Sequence, residues 1–133
     1  MRYLLDASSI YRIAEANALD ILADSMTLDL ARYELGNTVL KEHAIHKRMD
    51  LPKAQQLIGF LYGILGAMDE AEVIDGEGIM KVAAELRLSF YDAAYVQYSK
   101  SEDLVLVTED EKLERKAGNY VKIINASGLI KKV

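Results

Sequence analysis

Apolar residues recur along the chain in two rhythms. Short runs, "RYLL" (2–5), "MTLDL" (26–30), "AEVID" (71–75), "LVLV" (104–107) and "VKII" (121–124), are separated by longer stretches with apolar positions every three or four residues. Short runs bounded by polar residues predict strands, and the longer period predicts helices. The helical stretches fall near residues 9–23, 30–48, 52–69, 77–87, 91–101 and 109–117. Strands alternating with helices predict βα units, hence an α/β fold whose mostly parallel sheet is covered on both faces.

Punctuation refines this reading. Pro52, the only proline, fits the first turn of a helix, where its missing N–H costs nothing, and so divides 30–69 into a helical hairpin. Gly118-Asn119 stops the last helical stretch before the final strand. Within 52–69, Leu57, Ile58, Leu61, Ile64, Leu65 and Met68 share a face, with Phe60 and Tyr62 alongside. Core packing is the ordinary reading. The apolar arc is nevertheless wider than one face needs, and Gly59, Gly63 and Gly66 permit close approach, so an oligomer or partner interface is the sharper one.

A length of 133 residues predicts a single domain, 1–133. With 51% hydrophobic and 28% charged residues the composition is globular. The absence of cysteine excludes disulfides, thiolate metal sites and a cysteine nucleophile. The N-terminal segment lacks the apolar run of a signal peptide, and "LIGFLYGILGAM" (57–68) is too short to span a bilayer. A cytoplasmic protein without membrane contact is therefore expected. A net charge of −5 argues against a broad basic surface for nucleic acid, so a phosphate-bearing substrate needs a local basic patch or a metal.

Ligands of open α/β sheets bind at the carboxyl ends of the strands. Acids recur at such positions: Asp6 in "LLDASS", Glu34 in "ARYELGNT", Asp92 in "SFYDAAY" and Asp110 in "LVTEDEKL". Each has a plain structural explanation. Ser89 to Asp92 and Thr108 to Glu111 have capping-box spacing, Asp6 can cap a helix starting near Ser8, and Glu34 can be a solvated helix residue beside Asn37, Thr38 and Lys41. Caps do not explain why the strand-end loops of one edge each contribute an acid. Four carboxylates converging on one pocket would repel one another unless hard, oxygen-loving cations such as Mg²⁺ or Mn²⁺ neutralised them.

These residues resemble the PIN-domain nucleases, in particular the VapC-type toxins of toxin–antitoxin pairs. "YLLDASSIYRI" is similar to the opening strand, acid and hydroxyl of that family, and "ARYELGNTVLKE" to its glutamate helix. "LRLSFYDAAYVQYSKSEDLVLVTEDEKL", the most specific stretch, resembles its C-terminal motif. The resemblance implies a three-layer α/β/α sandwich with a parallel five-stranded sheet in order 3-2-1-4-5. It implies that Asp6, Glu34, Asp92 and Asp110 are catalytic and hold Mg²⁺ or Mn²⁺, supported by Ser8, Asn37 and Thr108. It further implies an RNA substrate, an endoribonuclease activity, a VapB-like antitoxin partner and a homodimer.

Other assignments fit less well. Arg12, Lys41, Lys47, Arg48, Lys112, Arg115 and Lys116 are available to guide RNA, although solvated surface explains so scattered a group equally well. His43 and His46 lack the further ligands that zinc requires. A haloacid-dehalogenase phosphatase needs an aspartate where Ser8 stands, a receiver domain needs paired acids after its first strand, and dinucleotide binding needs a glycine-rich turn. The alternative from another class is a non-catalytic PIN-like module that binds RNA or a protein partner.

Overall fold

The two central strands alternate sides with every residue, and that alternation builds the core. In the computed structural model, which describes residues 2–132, β1 (Tyr3–Leu5) turns Leu4 to one face of the sheet and Leu5 to the other. β4 (Val105–Val107) does the same with Leu106 and Val107. All four side chains are buried, as in a parallel sheet covered on both faces.

One face is covered by α1 (Ala7–Glu15), α2 (Leu19–Ala23), α3 (Ala31–Ala44), α4 (Leu51–Ala67) and the C-terminal α8 (Ala126–Lys132). The other carries α5 (Gly76–Leu86), α6 (Phe90–Glu102) and α7 (Glu111–Ala117). The remaining strands are β2 (Met26–Leu28), β3 (Asp69–Ala71) and β5 (Ile123–Ile124). All neighbours pair in parallel, in the order β3-β2-β1-β4-β5. The expected three-layer sandwich and strand order are thus observed. The chain winds one way from β1 to β2 and the other from β4 to β5, so the switch point falls between β1 and β4.

Several boundaries differ from the sequence reading. The single helix expected over 9–23 is two, because Asn17 adopts a left-handed conformation (φ 57°) that ends α1. The third strand lies at Asp69–Ala71 rather than 71–75. It is an edge strand paired with β2, and its acids make ion pairs: the Arg32 guanidinium grips both Glu70 carboxylate oxygens at 2.7 and 2.8 Å, and Arg2 reaches Asp69 at 2.7 Å. Hydrophobic periodicity cannot find a strand reading "DEA". The helix expected from 109 begins at Glu111, with Asp110 rather than Thr108 as its cap. α8 was not anticipated; its seven residues are too few to show a period, yet Ala126 and Leu129 are buried. Pro52 lies in the first turn of α4, as expected, with Asp50 capping that helix.

Candidate active site

β1 and β4 deliver the centre of the site. Their register places Leu5 beside Val107, so the next residues, Asp6 and Thr108, emerge together at the carboxyl ends of the two strands. Asp6 also caps α1 by accepting the Ser9 N–H at 3.0 Å. Its carboxylate is bracketed by hydroxyls: Ser8 donates to Oδ1 at 2.7 Å and Thr108 to Oδ2. The two hydroxyl oxygens are held in turn by backbone, Ser8 Oγ accepting from Glu109 N–H and Thr108 Oγ1 from Asp110 N–H, each at 3.1 Å. Thr108 therefore serves Asp6 instead of capping a helix.

Glu34 arrives from α3, which follows β2. Leu35 and Val39 anchor that helix in the core, and Glu34 is turned toward the sheet edge, half-buried. Its Oε1 accepts from the Tyr95 hydroxyl at 2.8 Å. Asp92 stands in the first turn of α6, whose cap is Ser89: the Ser89 hydroxyl accepts from the Asp92 N–H at 3.1 Å. Asp110 is exposed and caps α7, its Oδ1 accepting from Lys112 and Leu113 N–H groups. Asn37 is exposed on α3 one turn beyond Glu34 and makes no hydrogen bond to the acids among the described residues.

Three of the acids have their pKa raised. Burial raises the pKa of Asp6, against the opposing hydrogen bonds from Thr108, Ser8 and Ser9. Burial also raises Glu34, to about 7, with the charges of Asp6 and Asp92 adding to it and the Tyr95 hydrogen bond opposing. Asp92 is raised by burial and then by the charges of Asp110 and Asp6; Ser89 and Lys116 pull the other way. The ion pairs of the described residues, Arg2–Asp69, Arg32–Glu70 and Arg48–Glu42, include none of the four acids. The negative charge at this edge is thus repulsive and only partly offset, by Lys116 at Asp92.

Oxygen donors alone, in a carboxylate-rich and cation-poor setting, fit a hard divalent ion in charge and donor type. Among the described residues no three Asp, Glu or His side chains are grouped so as to hold a metal ion as they stand, so the fit is one of donor chemistry and charge and not of preformed geometry. Beside Asp110, a hollow of about 260 Å³ is lined by Thr108, Arg115 and Asn125 among others. Lys116, which donates to the Arg87 carbonyl at 2.7 Å, is the basic residue whose charge reaches Asp92. His43 has a structural role, its Nδ1 lying 2.9 Å from the Met49 carbonyl oxygen. Sequence reasoning passed over Tyr95; the signal was its i+3 spacing from Asp92 on one helix.

No family model matches the sequence. Exonuclease VapC9 of Pyrobaculum aerophilum is 31% identical over 125 residues, which span 92% of this chain and 91% of that protein. The crystal structure of PAE2754 from Pyrobaculum aerophilum superposes with a TM-score of 0.83 at 29% identity, covering 99% of this chain and 96% of that one. DNA-bound VapBC from Salmonella typhimurium gives a TM-score of 0.64 at 17% identity, over 95% of this chain and 98% of that one. VapBC2 from Rickettsia felis, bound to a promoter DNA fragment, gives 0.63 at 16%, over 94% and 98%. At those identities the last two likenesses are of fold alone.

Proposed function

Because the chain belongs to the VapC family of PIN-domain nucleases, we propose that it is a Mg²⁺- or Mn²⁺-dependent endoribonuclease and the toxin of a toxin–antitoxin pair. The observation that carries this reading is that Asp6, Glu34 and Asp92 lie within electrostatic reach of one another near the switch point of the sheet, each destabilised in its charged form and none in an ion pair among the described residues.

Asp6, Glu34, Asp92 and Asp110 would hold the metal. When bound, it would supply Lewis-acid polarisation of the phosphoryl oxygen and would lower the pKa of a water, so that the hydroxide left after loss of a proton attacks phosphorus. The chain's own residues do the rest. Ser8 and Thr108 hold the two oxygens of Asp6, so that its carboxylate does not rotate. Asp110 has one oxygen committed to its helix, and the other makes no hydrogen bond among the described residues. Asn37, exposed one turn after Glu34, is placed for substrate rather than for the carboxylates. Lys116 and Arg115 set positive charge beside the acids, where an RNA phosphate would lie.

A titration of Mn²⁺ into isotopically labelled protein tests the site. Paramagnetic broadening centred on the amides of Asp6, Glu34, Asp92 and Asp110 is the expected outcome; no localised broadening would make the four acids ordinary helix caps and favour the binding-module reading. Mode of cutting is tested separately, since the relative VapC9 is named an exonuclease. The exposed position of Asp110 supports a groove open to a continuous strand, so a circular RNA should be linearised. Survival of circular RNA alongside digestion of its linear form would favour the exonuclease reading.

The solved VapBC assemblies are complexes of such a protein, and a VapB-like antitoxin is the proposed partner here. A basic side chain from that partner entering the acidic edge would compete with the metal, so addition of the cognate antitoxin should suppress cleavage. A homodimer is also proposed, through the face of α4 where Phe60, Gly59 and Gly63 lie exposed. Among the described residues no helix is long and apolar enough to cross a membrane.

A further inference from the structure

Tyr95 heads the fully buried side chains by volume, with 1% of its surface exposed. A buried phenol must find a hydrogen-bond partner, and most find backbone or water. This one donates to Glu34 Oε1 at 2.8 Å, across 61 residues of sequence and from a helix on the opposite face of the sheet. Thr27, itself fully buried, lies near the same hydroxyl but commits its own proton to the Leu5 carbonyl at 2.7 Å, which leaves Glu34 as the partner of the phenol. Glu34 Oε2 makes no hydrogen bond among the described residues and stays available.

The placement is economical. Asp92 and Tyr95 are three apart on α6 and share a face, so one helix presents an acid to the site and fixes the acid that comes from α3. A phenylalanine would fill the same volume without a polar atom to satisfy. We propose that Tyr95 is a positioning residue: its hydroxyl locks one oxygen of Glu34 so that the other is presented to the divalent ion. The inference rests on the metal-dependent reading above and adds a residue that acts on the ion only through Glu34.

The test is Tyr95→Phe, which keeps the ring and removes the hydroxyl. In the metal-free protein, relaxation of the Glu34 side-chain methylene carbons should show a rigid chain in the wild type and a mobile one in the variant, with the thermal melt confirming a folded protein. Mn²⁺ affinity should fall about 10- to 100-fold, the usual cost of losing a group that orients a ligand. The double variant Tyr95→Phe/Glu34→Gln should bind Mn²⁺ no more weakly than Glu34→Gln alone. Unchanged order at Glu34 overturns the proposal, and so do additive losses in the double variant, which would make Tyr95 a packing residue. A wild-type protein that binds no Mn²⁺ overturns the metal reading itself and the consequence drawn for Tyr95 with it; the relaxation comparison decides the hold on Glu34 by itself.

Discussion

Asp92→Asn is expected to abolish RNA cleavage and, at the same time, to raise the melting temperature. The two effects have one cause. Asp92 sits where burial and the charges of Asp110 and Asp6 all oppose its ionisation, with Ser89 and Lys116 offsetting only part of that. Asparagine keeps the shape and leaves the cap of α6 intact, because that cap is the Ser89 hydroxyl on the residue's backbone N–H. It removes a negative charge that the fold is more stable without. Removing one carboxylate from a divalent-ion site forfeits several kcal/mol of transition-state stabilisation, roughly 10³-fold in kcat. An acid that merely supports structure behaves oppositely: Asp50 caps α4 by accepting the Lys53 N–H at 3.0 Å, and Asp50→Ala should cost about 1 kcal/mol of stability with cleavage unaltered. A labelled-RNA cleavage assay beside thermal melts checks both. Lowered stability of Asp92→Asn with activity retained would return Asp92 to the role of a helix-end residue.

The stability of the metal-free protein should fall as pH rises through the acid range, and divalent ions should restore it. Glu34 has its pKa pushed from 4.5 to about 7, chiefly by burial and then by Asp6 and Asp92. A carboxyl whose folded value lies above its unfolded one binds more protons in the native state. Its contribution is therefore full below about pH 4.5 and is lost as pH rises through about 7. Asp6 and Asp92 are displaced in the same direction and add to the same slope. Urea unfolding of the wild type against Glu34→Gln, at intervals across that window, isolates the Glu34 share: the wild type should lose ground to the variant as pH increases. Above pH 7, Mg²⁺ or Mn²⁺ at a hundredfold excess over its Kd should stabilise the wild type by about 2.7 kcal/mol. Parallel curves for the two proteins would mean that Glu34 is not held in a buried, repulsive setting, and equal stabilisation of Glu34→Gln by the ion would place the metal elsewhere.

Legibility in the sequence followed the physical size of each signal. Strands flanked by turns and buried on both faces, such as "LVLV", announce themselves by composition, and β4 lies within one residue of expectation. The edge strand Asp69–Ala71 does not, because its pairing with β2 is by backbone and two of its three side chains are acids in ion pairs with Arg2 and Arg32, which leaves no apolar run to read. The break at Asn17 and the short α8 were likewise hidden, one a single dihedral and the other a helix of seven residues. Among the site residues, the positions of Asp6, Glu34, Asp92 and Asp110 at strand and helix ends were visible from the start. For Thr108 local spacing offered a helix cap and the family resemblance a hydroxyl that orients a carboxylate; the pairing of β1 with β4 turns that hydroxyl to Asp6.

What the sequence determined by itself is therefore the α/β architecture and the identities of the acids, since both follow from local rules of periodicity, capping and strand ends. What the tertiary structure decided is which charges meet. Asp6, Glu34 and Asp92 lie up to 86 residues apart along the chain, and the parallel register of β1 with β4 and the crossing of α3 and α6 over the sheet edge bring them within electrostatic reach. Burial there withdraws water from carboxylates that form no ion pair among the described residues, Lys116 offsetting only part of the charge at Asp92. Repulsion and desolvation of that kind exist only in the folded chain, and they act on Asp6, Glu34 and Asp92, which local sequence offers as ordinary helix acids.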